Sequence, residues 1–199
     1  MAITINGNGT VTGISVGGLP DGIVDTDMIA SNAVTAAKAT GLGISVADQW
    51  RQTADFATSS LDPITANWER IDTTAQGTIG TAMSESSGIF TFPSTGIYYV
   101  EFKAHYKVAG NTEVRYADLQ IQATTNNSSY ASIAKKTQGQ GHGGTGNNYT
   151  GGSASTLVDV TDTSNVKVRF SVSSQASVSW MGNSGRNDTC ATFIRLGDT

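Results

Sequence analysis

Two histidines, one cysteine and a scatter of carboxylates are the side chains of this sequence with the potential for chemistry. His105 lies between Lys103 and Lys107 in an alternating run. Neighbouring cations disfavour an imidazolium, and no carboxylate stands beside it to orient the ring, so it forms no acid–base dyad by itself. His142 sits in Gln138-Gly139-Gln140-Gly141-His142-Gly143-Gly144-Thr145-Gly146. Glycines let backbone approach a ligand closely, but the strand-to-helix context of a phosphate loop is missing. A metal enzyme on an all-β scaffold needs two or three clustered histidines with a carboxylate, and only these two distant ones exist. Cys190 falls in an alternating segment without a nearby histidine or basic cluster, which reads as a buried structural thiol. Asp159, Asp162 and Asn165 could offer oxygens to calcium, but Asp162-Thr163-Ser164-Asn165 is ordinary turn chemistry. Glu85, Glu101 and Glu113 lack paired-carboxylate spacing. The expectation is a protein that is not an enzyme and carries no cofactor and no metal.

Binding is the remaining chemistry. The segment Gln138–Gly152 reads as a long Gly-rich loop carrying His142, Asn147, Asn148 and Tyr149. Long loops on rigid scaffolds often carry recognition, and a tyrosine beside asparagine amides suits saccharides. A second candidate runs from Trp180 to Asp188, although Trp180, following Val178 at a spacing of two, is expected in a core.

Strands must position these groups. From Ile97 to Lys107 the residues alternate, with Tyr98, Val100, Phe102, Ala104 and Tyr106 on one face and Glu101, Lys103, His105 and Lys107 on the other. That is a half-buried antiparallel strand. Val166, Val168, Phe170 and Val172 repeat the pattern. Further strands are expected at Leu119–Ala123, Leu157–Val160, Val178–Trp180 and Cys190–Leu196, with weaker ones at Gln76–Met83, Gly88–Phe92 and Tyr130–Ala134. Turn residues at Asn126-Asn127-Ser128, Thr163-Ser164-Asn165 and Gly182-Asn183-Ser184-Gly185 separate them. Many short strands at this spacing predict an all-β antiparallel sandwich or jelly roll over residues 61–199.

Composition agrees. Charged residues make up 14% of the 199 and Gly numbers 23, against typical values of about 25% and about 7%. A helical bundle needs far more Lys and Glu on its exposed faces. Net charge is −4, so a basic stripe to displace counterions is missing and nucleic-acid binding is not expected. No 18-residue apolar run exists for membrane insertion, and the first residues lack the basic start and apolar run of an export signal. Residues 1–60 hold too little apolar material for a core. Asp25, Thr26 or Asp27 can cap a short helix carrying Met28 and Ile29, and a second turn follows Thr35. Such pieces do not stand alone in water. The arm is therefore expected to bury Met28, Ile29, Val34 and Leu42 against identical copies or a docking partner.

The run Gly88-Ile89-Phe90-Thr91-Phe92-Pro93-Ser94-Thr95-Gly96-Ile97-Tyr98, with Phe102 closing the strand, resembles the signature of the complement globular-head and tumour-necrosis-factor-like jelly-roll domains. Ala191-Thr192-Phe193-Ile194-Arg195-Leu196 is similar to that family's last strand. The resemblance implies a homotrimer, with outward aromatics such as Tyr99 and Tyr116 as interface candidates. Val16-Gly17-Gly18-Leu19-Pro20-Asp21-Gly22, Asp25–Ala30 and Asn32–Lys38 resemble connectors of bacteriophage tail-fibre and virion proteins, and Asp48–Arg51 with Asp62–Arg70 resembles the lead-in to their heads. This likeness implies a structural protein on the phage particle surface. Its extended arm would trimerise and attach to other virion proteins of tail or capsid, and its jelly-roll head would meet a host-surface glycan or protein. A purely architectural trimer and a glycan-binding module of a secreted bacterial protein are the alternatives.

Overall fold

The computed structural model describes Gly43–Thr199, together with Val34. The chain divides into two units, Met1–Leu42 and Gly43–Thr199. Met28, Ile29, Leu42 and the short helices expected near them lie outside the described residues, and Val34 is exposed.

The second unit, the head, has eleven strands, and no helix occurs among the described residues. In chain order these are β1 (Ala47–Gln52), β2 (Phe56–Leu61), β3 (Trp68–Arg70), β4 (Ser84–Ser86), β5 (Ile89–Thr91), β6 (Gly96–Ala109), β7 (Val114–Thr124), β8 (Ala131–Gln140), β9 (Asn147–Val160), β10 (Lys167–Trp180) and β11 (Cys190–Gly197). All pairs are antiparallel. One sheet runs β3-β1-β11-β6-β9. The other runs β8-β7-β10, and the far edge of β10 takes β5 (with β4 beyond) at one end and β2 further along. The sheets join where Ser179 and Trp180 of β10 pair with Lys107 and Tyr106 of β6.

The alternation in β6 orients the first sheet. Tyr98, Val100, Phe102, Ala104 and Tyr106 are fully buried, while each intervening residue faces outward. A one-residue slip would send this set into water, so the register is strongly specified. Opposite it, Val168, Phe170 and Val172 of β10 point inward. Between the sheets sits an aromatic cluster around Phe90, whose ring centroid lies 5.2–5.6 Å from those of Trp50, Trp68, Phe170 and Phe193. Phe102 stacks on Phe170 at 4.8 Å.

Three expectations are corrected. The head begins at Gly43, not at residue 61, because β1 and β2 are integral strands of its sheets. Trp50 enters the core from β1, and β2 covers an edge of β10 that would otherwise be open. Gln76–Met83 forms no strand, only the bridge Ala47–Ile79. The buried Arg51 instead holds the preceding chain, reaching Glu69 and Asp72 at 2.5 Å and Thr73 at 2.7 Å. Val178–Trp180 is not a separate strand but the end of β10, which runs 14 residues through the polar stretch Ser173–Gln175.

The head has two distinct ends. At one, Val46 accepts a hydrogen bond from Arg195 N, and Gly96 pairs with Val160. The chain enters here. At the other, Ala109 pairs with Asn147, and the loops at residues 110–113, 141–146 and 181–189 gather.

Candidate functional site

The Gly-rich segment is mostly strand. β8 extends to Gln140 and β9 starts at Asn147, so only residues 141–146 form a loop. Exposed His142 stays in that loop, while Asn147, Asn148 and Tyr149 become the first residues of β9. Alternation along a strand then splits them. Asn147 and Tyr149 face out, and Asn148 faces in. The Asn148 amide Nδ2 donates to Gly110 O at 3.1 Å, and Gly143 N donates to the same oxygen, also at 3.1 Å. Asn148 thus ties the loop to the β6–β7 turn rather than presenting itself to a ligand.

Gly110 makes this docking possible. A Cβ there would lie 2.0 Å from Gly144 O and 2.6 Å from Gly146 O, both backbone atoms. Gly110→Ala is therefore expected to unseat the loop at a cost of about 1–3 kcal/mol. The amide of Gly143 should lose its protection in hydrogen exchange, whereas amides in the middle of β6 should keep theirs.

Outward-facing Tyr149 is 61% exposed and pairs across the strands with Lys107 of β6, which in turn pairs with Ser179 of β10. Two shallow depressions flank this row. One, of about 310 Å³, is lined by Ala57, Lys107, Thr112, Asn147 and Ser179 among others. The other, of about 280 Å³, is lined by His105, Tyr149, Thr150, Gly151 and Met181. Gly151 stands directly opposite His105, and a Cβ on it would fall 1.7 Å from His105 Cδ2. The bare strand at this point lets the imidazole lie flat across it.

Charges here are fixed and matched. Lys107 Nζ reaches Asp55 Oδ2 at 2.6 Å, and Gly182 N donates to Asp55 Oδ1 at 3.0 Å. The hydrogen bond from Lys107 holds the Asp55 carboxyl below its ordinary range and correspondingly raises the ammonium. Burial, and then the charge of Lys103, push the His105 imidazole below its usual value, so it is neutral at pH 7. The arrangement offers an aromatic face with immobilised donors and acceptors.

Other candidates resolve structurally. Trp180 is fully buried and packs edge-on against Tyr106 at 5.2 Å. Cys190 is buried, which pushes its thiol up to about 11. Asp162 spends both oxygens on its own turn, accepting from Ser164 N and Asn165 Nδ2. The sequence reading missed Lys107 and Met181 as neighbours of Tyr149, and Asp55 and Ser179 as partners of Lys107. Lys107 and His105 were legible as the polar face of a strand, but only the β6–β9 register brings Tyr149 beside them.

The outer face of the first sheet carries a second feature. Ile79, Ala47, Ile194, Tyr99 and Leu157 are consecutive cross-strand partners, forming an apolar row from the bridge through β1, β11, β6 and β9. Ile79 and Leu157 are 50% and 60% exposed in the single chain, more than a side chain inside a packed sheet face shows. Tyr116, the second tyrosine expected at an interface, belongs to β7 in the opposite sheet.

No protein-family model matches the chain, and none of the curated proteins compared with it is similar. Solved structures are. Murine APRIL at pH 5.0 superposes with a TM-score of 0.54 at 9% identity, covering 76% of this chain and 98% of that one. Eiger TNF from S. frugiperda does so with a TM-score of 0.52 at 13% identity, covering 77% and 94%. At these identities the likeness establishes the fold. The head is an all-β, tumour-necrosis-factor-like antiparallel sandwich.

Proposed function

We propose that this chain is a non-enzymatic structural protein of a bacteriophage particle, a homotrimer whose arm grips other virion proteins and whose head meets the host surface. The observation that carries the trimer is the row Ile79–Ala47–Ile194–Tyr99–Leu157. Apolar side chains aligned across an otherwise polar sheet face have a low cost of exposure only when a partner covers them. The outer face of the second sheet is built differently. There Asp118 is satisfied by Lys135, Thr137 and Ser173, and Gln122 by Asp62 and Ser171.

Polarity of the head supports attachment. The chain enters at the end where Val46 meets Arg195, and the 141–146 loop with the Tyr149 row lies at the other. The end bearing that loop and the Tyr149 row is the one proposed to meet the host. The connector-like motifs between Val16 and Lys38 are what favour a phage particle as the thing gripped. Three weak sites on one rigid head would then add by avidity.

Sedimentation of the intact chain tests this. A mass three times the 20.6 kDa of one chain is expected at micromolar concentration. A single-chain mass there would overturn the proposal.

A further inference from the structure

The geometry points to a neutral saccharide as the ligand of the depressions around Tyr149, with Lys107, Asp55 and Ser179 as its polar contacts. The inference rests on the recognition role proposed above and gives that role a ligand class.

Tyr149 supplies an exposed aromatic surface, and the strand beside it is bare at Gly151, so a flat apolar patch continues past the ring to His105 and Met181. A pyranose has such a patch of its own, the C–H groups on one ring face, and aromatic faces take it well. Around that patch a sugar carries hydroxyls, each both donor and acceptor. The protein meets them with groups of both kinds. In the lining Lys107 donates and Ser179 and Asn147 do both, and Asp55, bonded to Lys107 beside the depression, accepts.

Rigidity favours binding as much as chemistry does. Asp55 is gripped from both sides, by Lys107 Nζ and by Gly182 N, so its lone pairs are aimed before any ligand arrives. Lys107 and Tyr149 are paired within the long β6–β9 ladder, two pairs in from its end. Little conformational entropy is then lost on contact.

Charge decides against the competing ligands. The Lys107 cation is already met by Asp55 at 2.6 Å, and His105 is neutral at pH 7. A phosphate or sulfate would have to compete with Asp55, and a cationic ligand with Lys107. A neutral polyol displaces neither and bonds to both. The site lies eight residues along β6 from the Tyr99 row, roughly 26 Å at strand rise, so contacts closing over that row leave it open.

Saturation-transfer NMR on the intact chain tests this, with the methyl glycosides of glucose, galactose, mannose and N-acetylglucosamine as probes. Transfer to the ring C–H protons of at least one probe is expected at millimolar concentration. Tyr149→Ala should weaken it about tenfold, and Asp55→Asn should weaken it too. Tyr116→Ala, which removes an exposed tyrosine from the other sheet, should leave it unchanged. Circular dichroism and sedimentation confirm that each variant is folded, and Lys107→Met replaces any that is not. Silence from all four probes, or transfer that survives Tyr149→Ala, overturns the saccharide inference. If the chain is still trimeric, either result leaves the attachment proposal standing. A single-chain mass would end that proposal whether or not a sugar binds.

Discussion

Leu157→Asp is expected to convert the proposed trimer into single chains. Leu157 ends the apolar row and is 60% exposed in the isolated head, so the substitution costs that head almost nothing. β9 tolerates it locally as well, since Asp159 already occupies the next outward position. The cost falls on the assembly. Covering a leucine contributes about 1.5–3 kcal/mol, and an unpaired carboxylate in its place adds a desolvation penalty of several kcal/mol. With one such site per subunit, association should weaken by at least a factor of roughly a hundred per contact. Sedimentation should report one chain mass, while far-ultraviolet circular dichroism and the monomer fold stay unchanged. Tyr116→Asp, equally polar but on the second sheet, should leave the mass alone. A Leu157→Asp protein that remains trimeric would mean that the row is not the interface.

Phe90→Ala should produce the largest loss of stability of any single truncation in the head. Phe90 is fully buried and touches Trp50, Trp68, Phe170 and Phe193, which come from four other strands. Its strand β5 has only three residues and pairs with β10 and β4, so this side chain is a principal anchor of that edge to the sandwich. Truncating a buried phenylalanine costs about 3–5 kcal/mol through lost burial and the cavity left behind. That is a large part of a domain's margin of about 5–15 kcal/mol. The melting temperature should fall by about 10–15 °C, with all comparisons made at one protein concentration, because the proposed assembly would also stabilise. Phe90→Leu keeps most of the volume and should cost only about 1.5 kcal/mol. A melting temperature unchanged by Phe90→Ala would show that the aromatic cluster is not the mechanical centre of the head.

The two predictions rest on features that were unequally legible beforehand. Phe90 was visible as part of Gly88–Phe102, and the inward set of β6 was readable residue by residue. One buried face imposes a period of two, and the strand carries that period in its own side chains. Boundaries were less legible. Asp48–Arg51 falls within residues 1–60, which hold too little apolar material for a core of their own, yet Trp50 packs on Phe90 and Arg51 is buried in an ion-pair network with Glu69 and Asp72. A buried arginine leaves no apolar signal. Gln138–Gly152 read as one loop because glycine, serine and threonine are weak strand formers, but long ladders on β7 and β6 hold most of it extended.

By itself the sequence determined that the chain builds an antiparallel sandwich, which faces of its long strands turn inward, and that Trp180 and Cys190 are interior groups. Each of these follows from local alternation, which hydrophobic burial enforces one strand at a time. Only the tertiary structure decided which outward residues stand beside one another. Ala47, Tyr99, Leu157 and Ile194 lie in four separate segments, and Asp55, Lys107 and Tyr149 in three. They become a row and a site only through cross-strand register. Register is a relation between distant segments, set by how the whole core packs, and a single strand's residues do not encode it.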